Sequence, residues 1–135
     1  MKHLTTIHIA RFIISFCWLY HGLMPKLIHI APLEQQMTAS FGFNAEISVL
    51  ITRAAGIGEI IFAVLFFIFY RSILINILNI VALVGLMLFV AVLQPALLIE
   101  AFNPVTTNLA MIAFSIVLIN EQKASNKSIR PRNSA

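Results

Sequence analysis

The chain has few charged residues. Only 10% of its 135 residues are charged, against roughly 25% in an average soluble domain. Hydrophobic residues make up 60% of the chain, and the mean hydropathy is +0.95. A soluble protein of this size needs a polar coat that this composition does not provide. We therefore expect the lipid bilayer to solvate much of the surface, which favours an all-α, membrane-embedded fold.

Cysteine is scarce too, and this narrows the chemistry. Cys17 is the only cysteine, so no intramolecular disulfide and no CxxC motif is present. No histidine has a carboxylate or thiol at the spacing of metal ligands, so no metal site is predicted. The sequence also lacks a GxGxxG or P-loop motif and any specific Ser/His/Asp arrangement. No catalytic residue is assigned on these grounds.

Four apolar segments approach the length of about 20 residues that crosses about 30 Å of hydrocarbon. They run from Leu4 to Met24, Ile47 to Tyr70, Ile73 to Leu93 and Val105 to Ile119. The first contains Arg11 and is not followed by an A-x-A-like cleavage site, so we expect a span rather than a signal peptide. The sequence predicts a membrane-embedded four-helix bundle over residues 1–121.

The connecting segments predict further features. The tight Tyr70-Arg71-Ser72 turn predicts that the second and third spans are antiparallel neighbours. The connection after the first span is long enough to contain a short interfacial helix, from roughly Pro32 to Ser40. Asn103 and Pro104 are suited to the N-cap and first turn of the last span. The polar segment over residues 122–135 predicts a disordered basic tail.

The positive charges predict the topology. If the N-terminus is cytoplasmic, the outer side has only Lys26, whereas the inner side has six cations: Lys2, Arg71, Lys123, Lys127, Arg130 and Arg132. This bias predicts a multi-pass protein of the bacterial inner membrane with both termini in the cytoplasm. A basic end beside a span is more typical of such a topology signal than of nucleic-acid binding, so no nucleic-acid partner is expected.

Ionisable residues inside the predicted spans are the most informative positions. Arg11, Arg53 and Glu59 lie there although such groups cost about 2.5–3.5 kcal/mol at a helix centre. Counting residues from the inner ends predicts that Arg11 and Glu59 form an ion pair, which we interpret first as structural. His21 and Arg53 are expected nearer the outer side. The alternatives are a snorkelling Arg53 and a His21 that is simply a hydrogen-bonded polar tip.

Small and polar residues define the expected inward faces. On the first span, Ser15, Trp18 and Gly22 recur at helical spacing, although Trp18 also suits an interfacial anchor. On the second, the face comprises Thr52, Ala55, Gly56, Glu59 and Ala63. The glycines at positions 56 and 58 are expected to let another helix approach closely.

Polar residues converge at the predicted outer end, which is therefore the candidate binding site. The ligand-binding candidates are His21, Lys26, Arg53, Glu59, Glu100, Asn103 and Asn108, with Glu34 nearby in the sequence. Arg53 and the start of the last span would favour an anionic group or a polarised carbonyl.

Three segments resemble the DoxX-like family of membrane proteins. These are Arg11 to Leu27, including the run WLYHGLMPKL, Arg53 to Glu59, where a glycine precedes an acidic residue, and Asn103 to Asn108. The resemblance implies a four-helix membrane bundle. Its implication for activity is weaker, although relatives include a subunit of thiosulfate:quinone oxidoreductase.

Three functional hypotheses follow. The first is a membrane subunit of a quinone-linked redox system, with quinone or another small polar or anionic group bound between the first two spans. The second is a non-enzymatic scaffold that assembles with a membrane protein, a redox protein or a second copy, its buried charges being structural. The third is a small-solute transporter, which the lack of internal repeats disfavours.

Overall fold

The structure is a computed structural model that describes residues 5–101 and 103–129. Within these ranges the chain forms helices and no strands, which confirms the all-α prediction. The order is α1 (Thr6–Leu23), a π-helical turn (Met24–Ile28), α2 (Pro32–Ala39), α3 (Ala45–Phe69), α4 (Ile73–Leu93), a 3-10 turn (Pro95–Ile99) and α5 (Pro104–Ile129).

Four helices are long and apolar enough to cross a membrane. The spans comprise Thr6–Ile28, Ala45–Phe69, Ile73–Leu93 and Pro104–Lys127. Their mean hydropathies lie between 1.3 and 2.7, and most of their large apolar side chains face outward, as lipid solvation requires. The chain is therefore a four-span membrane protein, as its sequence predicts.

Helix α1 is at the centre of the bundle. It packs mainly against α3 and also against α5, while α4 packs on α5. Ala10, Ile14 and Trp18 of α1 meet Phe66 of α3 and Met111 of α5 in one buried cluster. Helices α3 and α4 make few contacts with each other despite their tight turn. The two antiparallel neighbours predicted from this turn therefore pack little on each other, and residues of both line the cavity described below.

Two glycines bring α1 and α3 into close contact. A Cβ atom added at Gly22 would lie 2.5 Å from the carbonyl oxygen of Gly56. One added at Gly56 would lie 2.7 Å from the carbonyl oxygen of Gly22. The predicted close approach is confirmed at Gly56, whereas a Cβ at Gly58 would meet nothing within 4 Å.

A polar network links three helices inside the bundle. The Trp18 indole donates to Asn79 Oδ1 at 2.6 Å, and Asn79 Nδ2 donates to Ser115 Oγ at 2.8 Å. Asn76, one turn earlier on α4, donates to the carbonyls of Tyr70 and Ser72. Buried amides in lipid are stabilising only when paired, so these bonds hold α1, α4 and α5 in one register.

The ends of the helices mostly match their sequence signals. Asn103 Oδ1 accepts from the Thr106 amide at 3.1 Å, which confirms the predicted N-cap of α5. The helix predicted near Pro32 is α2. By contrast, α5 continues to Ile129, although disorder was predicted from residue 122. Alanine, lysine and glutamine are good helix formers that extend a helix already anchored by its span. Residues 130–135 of the predicted tail lie outside the described residues.

The glycine contact makes a testable prediction. Gly56→Ala should lower the free energy of unfolding by about 1–3 kcal/mol, because the new methyl group forces α1 and α3 apart. The matched control is Gly58→Ala, which adds the same methyl where nothing is in reach. Thermal unfolding in detergent micelles measures both. Equal midpoints for the two variants would contradict the close α1–α3 contact.

Candidate functional site

A cavity of about 1100 Å³ lies between α3 and α4. Residues of α1, the π-helical turn, α2, α3, α4 and the start of α5 line it. Its walls are mainly apolar, and Met37, Ile51, Leu86 and Phe89 are examples. Phe41, from the loop after α2, stacks on Phe89 with ring centroids 5.9 Å apart and thereby bridges the α2–α3 connection to α4.

Lys26 lies on one wall of this cavity and is buried between two carboxylates. Its ammonium donates to Glu59 Oε1 in a short ion pair, and it lies 3.7 Å from Glu34 Oε1. The side chains of Lys26 and Glu59 are only 10% and 11% exposed. Glu59 depends on Lys26 for its counter-charge in this low-dielectric medium, whereas Lys26 would keep Glu34 if Glu59 were removed.

The glycine at position 56 explains how Lys26 reaches Glu59. The Cβ of Lys26 lies 2.8 Å from the position that a Cβ at Gly56 would occupy. Any side chain there would push the π-helical turn away. Glu59 is one turn further along α3, and helical side chains point towards the N-terminus of their own helix. The Lys26 side chain therefore runs back towards Glu59.

The predicted ion pair between Arg11 and Glu59 is wrong. The α1–α3 register brings Arg11 to Phe67, whose carbonyl accepts from Arg11 Nε at 2.8 Å. Glu59 is eight residues from Phe67 on α3, about 12 Å along the axis. Sequence counting underestimated this offset because it treated the inner ends of the two spans as level, whereas Arg11 lies level with Phe67.

The candidate residues separate into two groups. His21, Lys26, Glu59, Asn103 and Asn108 all line the cavity, as the sequence predicted for one site. Asn108 is buried and donates to the Leu83 carbonyl at 3.3 Å.

Arg53 and Glu100 do not line the cavity and are exposed. Arg53 follows Thr52 by one position, and a step of about 100° around α3 turns it away from the buried face. Arg53 therefore does not share the cavity with His21. Without Arg53, the site has no guanidinium to attract an anion.

Two buried oxygens at the cavity have no hydrogen-bond partner among the described residues. They are Thr52 Oγ1 and Glu59 Oε2. Thr52 is 1% exposed, and both residues line the cavity. Sequence analysis placed Thr52 on the inward face of its helix but not among the binding candidates. A buried polar atom without a partner requires an explanation, and a bound ligand is one.

A sequence model of the DoxX-like family matches residues 15–116. The chain belongs to the DoxX-like family. No curated protein and no solved structure matches it. The matched region of this DoxX-like protein includes Lys26, Glu59 and Thr52, whereas Arg11 lies outside it.

Glu34 of α2 adds a titratable carboxyl group at the rim of the site of this DoxX-like protein. Burial raises the pKa of the Glu34 carboxyl above its ordinary value, and the nearby Glu59 raises it further, while Lys26 opposes both. Burial is the largest cause. Protonation of Glu34 would leave Lys26 and Glu59 as a neutral pair, so the site would then have no net charge.

The Lys26–Glu59 pair makes a prediction about paired substitutions. Lys26→Met should destabilise the protein by about 3–5 kcal/mol, because it leaves Glu59 buried with no counter-charge. Glu59→Leu should cost less, because Lys26 still has Glu34 at 3.7 Å. Combining them should recover most of the loss caused by Lys26→Met. The measurement is the midpoint of thermal unfolding in detergent. Arg11→Met is the control, and rescue of Glu59→Leu by Arg11→Met instead of Lys26→Met would contradict this pairing.

The pH dependence of stability should report on Glu34. Its carboxyl has a raised pKa in the folded state, so the folded protein binds more protons than the unfolded chain just above pH 4.5. Stability should therefore fall as the pH rises from 4.5 through the folded pKa. Glu34→Gln should flatten this slope, and Glu100→Gln, at an exposed residue, should not. An unchanged slope in Glu34→Gln would contradict the assignment.

Proposed function

We propose that this DoxX-like protein binds a membrane-soluble quinone in the cavity between α3 and α4, as a membrane subunit of a quinone-linked redox system. The observation that supports this most is the unpartnered Thr52 hydroxyl in a mainly apolar cavity, about two helical turns along α3 from Glu59 of the Lys26–Glu59 pair. Quinones combine an apolar ring and tail with two polarised carbonyls, and the cavity has the complementary parts.

The charge of the site favours an uncharged ligand. Lys26 is already paired with Glu59, and Glu34 adds a second carboxylate at the rim. An anion would meet net negative or neutral surroundings, because Arg53 is outside the cavity. A carbonyl needs only hydrogen-bond donors, and the Thr52 hydroxyl, the His21 ring and the Lys26 ammonium are suitable donors.

Titratable groups at the cavity wall suit proton transfer to a quinone as it is reduced. Reduction to quinol takes up two electrons and two protons. Glu34 and His21 at the cavity wall are candidates for supplying the protons, and the electrons would come from a redox protein assembled with this subunit. We propose this redox protein as the partner. A second copy of the chain is the alternative partner.

We also propose a bacterial inner-membrane location with both termini in the cytoplasm. Arg71, in the turn between α3 and α4, and the lysines near the end of α5 lie at one end of the bundle. Lys26 is buried in an ion pair near the other end. The positive-inside rule then orients the cavity towards the outer leaflet.

A structural scaffold is the second candidate function. It is favoured by one observation: Lys26 and Glu59 neutralise each other's charge without any ligand. Under this alternative, the variant with both Lys26→Met and Glu59→Leu assembles and functions like wild type, whereas the quinone proposal requires it to lose binding.

Fluorescence of Trp18 tests the quinone proposal, because Trp18 is the only tryptophan and lines the cavity. Titration of the purified chain with a short-chain ubiquinone analogue should give saturable quenching. Thr52→Val should weaken binding about fivefold, the effect of losing one neutral hydrogen bond of about 1 kcal/mol. Arg53→Gln, one residue away and outside the cavity, should leave the affinity unchanged. Quenching that does not saturate, or is equal in wild type and Thr52→Val, would contradict the proposal.

A further inference from the structure

A second group of basic residues lies at the opposite end of the bundle from the cavity. It comprises Arg11 and His8 of α1, with Arg71 in the turn between α3 and α4. All three surround the ring of Tyr70. The guanidinium carbons of Arg11 and Arg71 lie 4.6 Å and 5.6 Å from its centroid, and the His8 ring centroid lies 6.5 Å away.

Arg11 is held in place by contacts that use little of its hydrogen-bonding capacity. Its Nε donates to the Phe67 carbonyl at 2.8 Å, and its guanidinium carbon lies 3.7 Å from the Phe67 ring centroid. A guanidinium has five N–H donors, so the terminal nitrogens remain available. Stacking on two rings pre-organises this fork and limits the conformational freedom that it would lose on binding a ligand.

The charge of this cluster is not neutralised within the described residues. Lys26 is the cation of every salt bridge within residues 5–101 and 103–129. Neither Arg11 nor Arg71 contacts a carboxylate there. An arginine inside a membrane span normally pairs with a partner or reaches the phosphate level of the lipid. Tyr70, at the end of α3, is a residue type typical of that level.

We propose that Arg11, Arg71 and His8 form a binding site for the phosphate of an anionic phospholipid at the end of the bundle opposite the cavity. Two guanidinium groups around one aromatic ring can each donate paired N–H groups to phosphate oxygens. His8 is positioned to add a third donor, because its Nδ1 is already hydrogen-bonded to the Thr5 hydroxyl at 2.6 Å and its Nε2 is left for the ligand. The lipid thereby supplies the counter-charge that Arg11 lacks in the protein.

Lipid binding by the full chain in detergent tests this site. Intact-protein mass spectrometry would compare phosphatidylglycerol with phosphatidylcholine of the same chain length. Both lipids have a phosphate, but the choline of phosphatidylcholine neutralises its charge. Wild type should therefore prefer phosphatidylglycerol by about tenfold, the scale of one charge-assisted hydrogen bond. Arg71→Gln, at an exposed residue, should abolish most of this preference. Lys123→Gln removes an exposed cation from α5 and should leave the preference intact.

Further variants separate the site from a general effect of charge. Arg11→Lys keeps the charge but loses the planar fork, so its preference should fall while the protein still folds. Equal losses in Lys123→Gln and Arg71→Gln would overturn the proposal in favour of diffuse attraction. Inorganic phosphate that displaces phosphatidylglycerol at equal concentration would show a free-phosphate site and overturn the lipid assignment. None of these outcomes depends on quinone binding, so the two proposals succeed or fail separately.

Discussion

The buried ion pair between Lys26 and Glu59 is the interaction on which the rest of the structure depends. In lipid, either charge alone is costly, and the pair is stabilising only if both partners are held at contact distance. The backbones of α1 and α3 meet at Gly22 and Gly56, and this contact sets that distance. The need to hold this ion pair together determines the register of the two helices. It also determines the position of the π-helical turn and the polar wall of the cavity.

The same constraint separates the two ends of the molecule. Because the α1–α3 register pairs Glu59 with Lys26, Arg11 is left at the level of Phe67 and Tyr70, where rings and a carbonyl hold it. One end of the bundle therefore has a paired cation inside an apolar cavity, and the other has unpaired cations at the interface. The first arrangement suits an uncharged, polarised ligand, whereas the second suits a phosphate.

The sequence predicted most of the fold because lipid solvation imposes simple rules. Four apolar segments of sufficient length gave four spans, and Asn103 with Pro104 identified the start of α5. Small residues on one face of the second span predicted the contact at Gly56. The tail prediction failed from residue 122 because composition does not show whether an anchored helix will continue.

The site was only partly predictable, because pairing depends on register and not on composition. The first span was predicted to end at Met24, so Lys26 was counted as a loop residue and Glu59 was assigned to Arg11. Arg53 carried the same sequence signal as Glu59 but lies on the other side of α3. The amides of Asn76 and Asn79 in the third span were intramembrane polar groups that sequence analysis could have used and did not.

Solid-state NMR on the membrane-embedded chain tests the central claim most directly. The measurement is the dipolar coupling between lysine ¹⁵Nζ and glutamate ¹³Cδ atoms. We expect the strong coupling of a directly hydrogen-bonded pair to be lost in Glu59→Gln, which leaves only the weaker coupling to Glu34 at 3.7 Å, and to persist in Glu100→Gln. A coupling unaffected by Glu59→Gln, or a coupling of Glu59 to an arginine guanidinium instead, would contradict the pairing of Lys26 with Glu59.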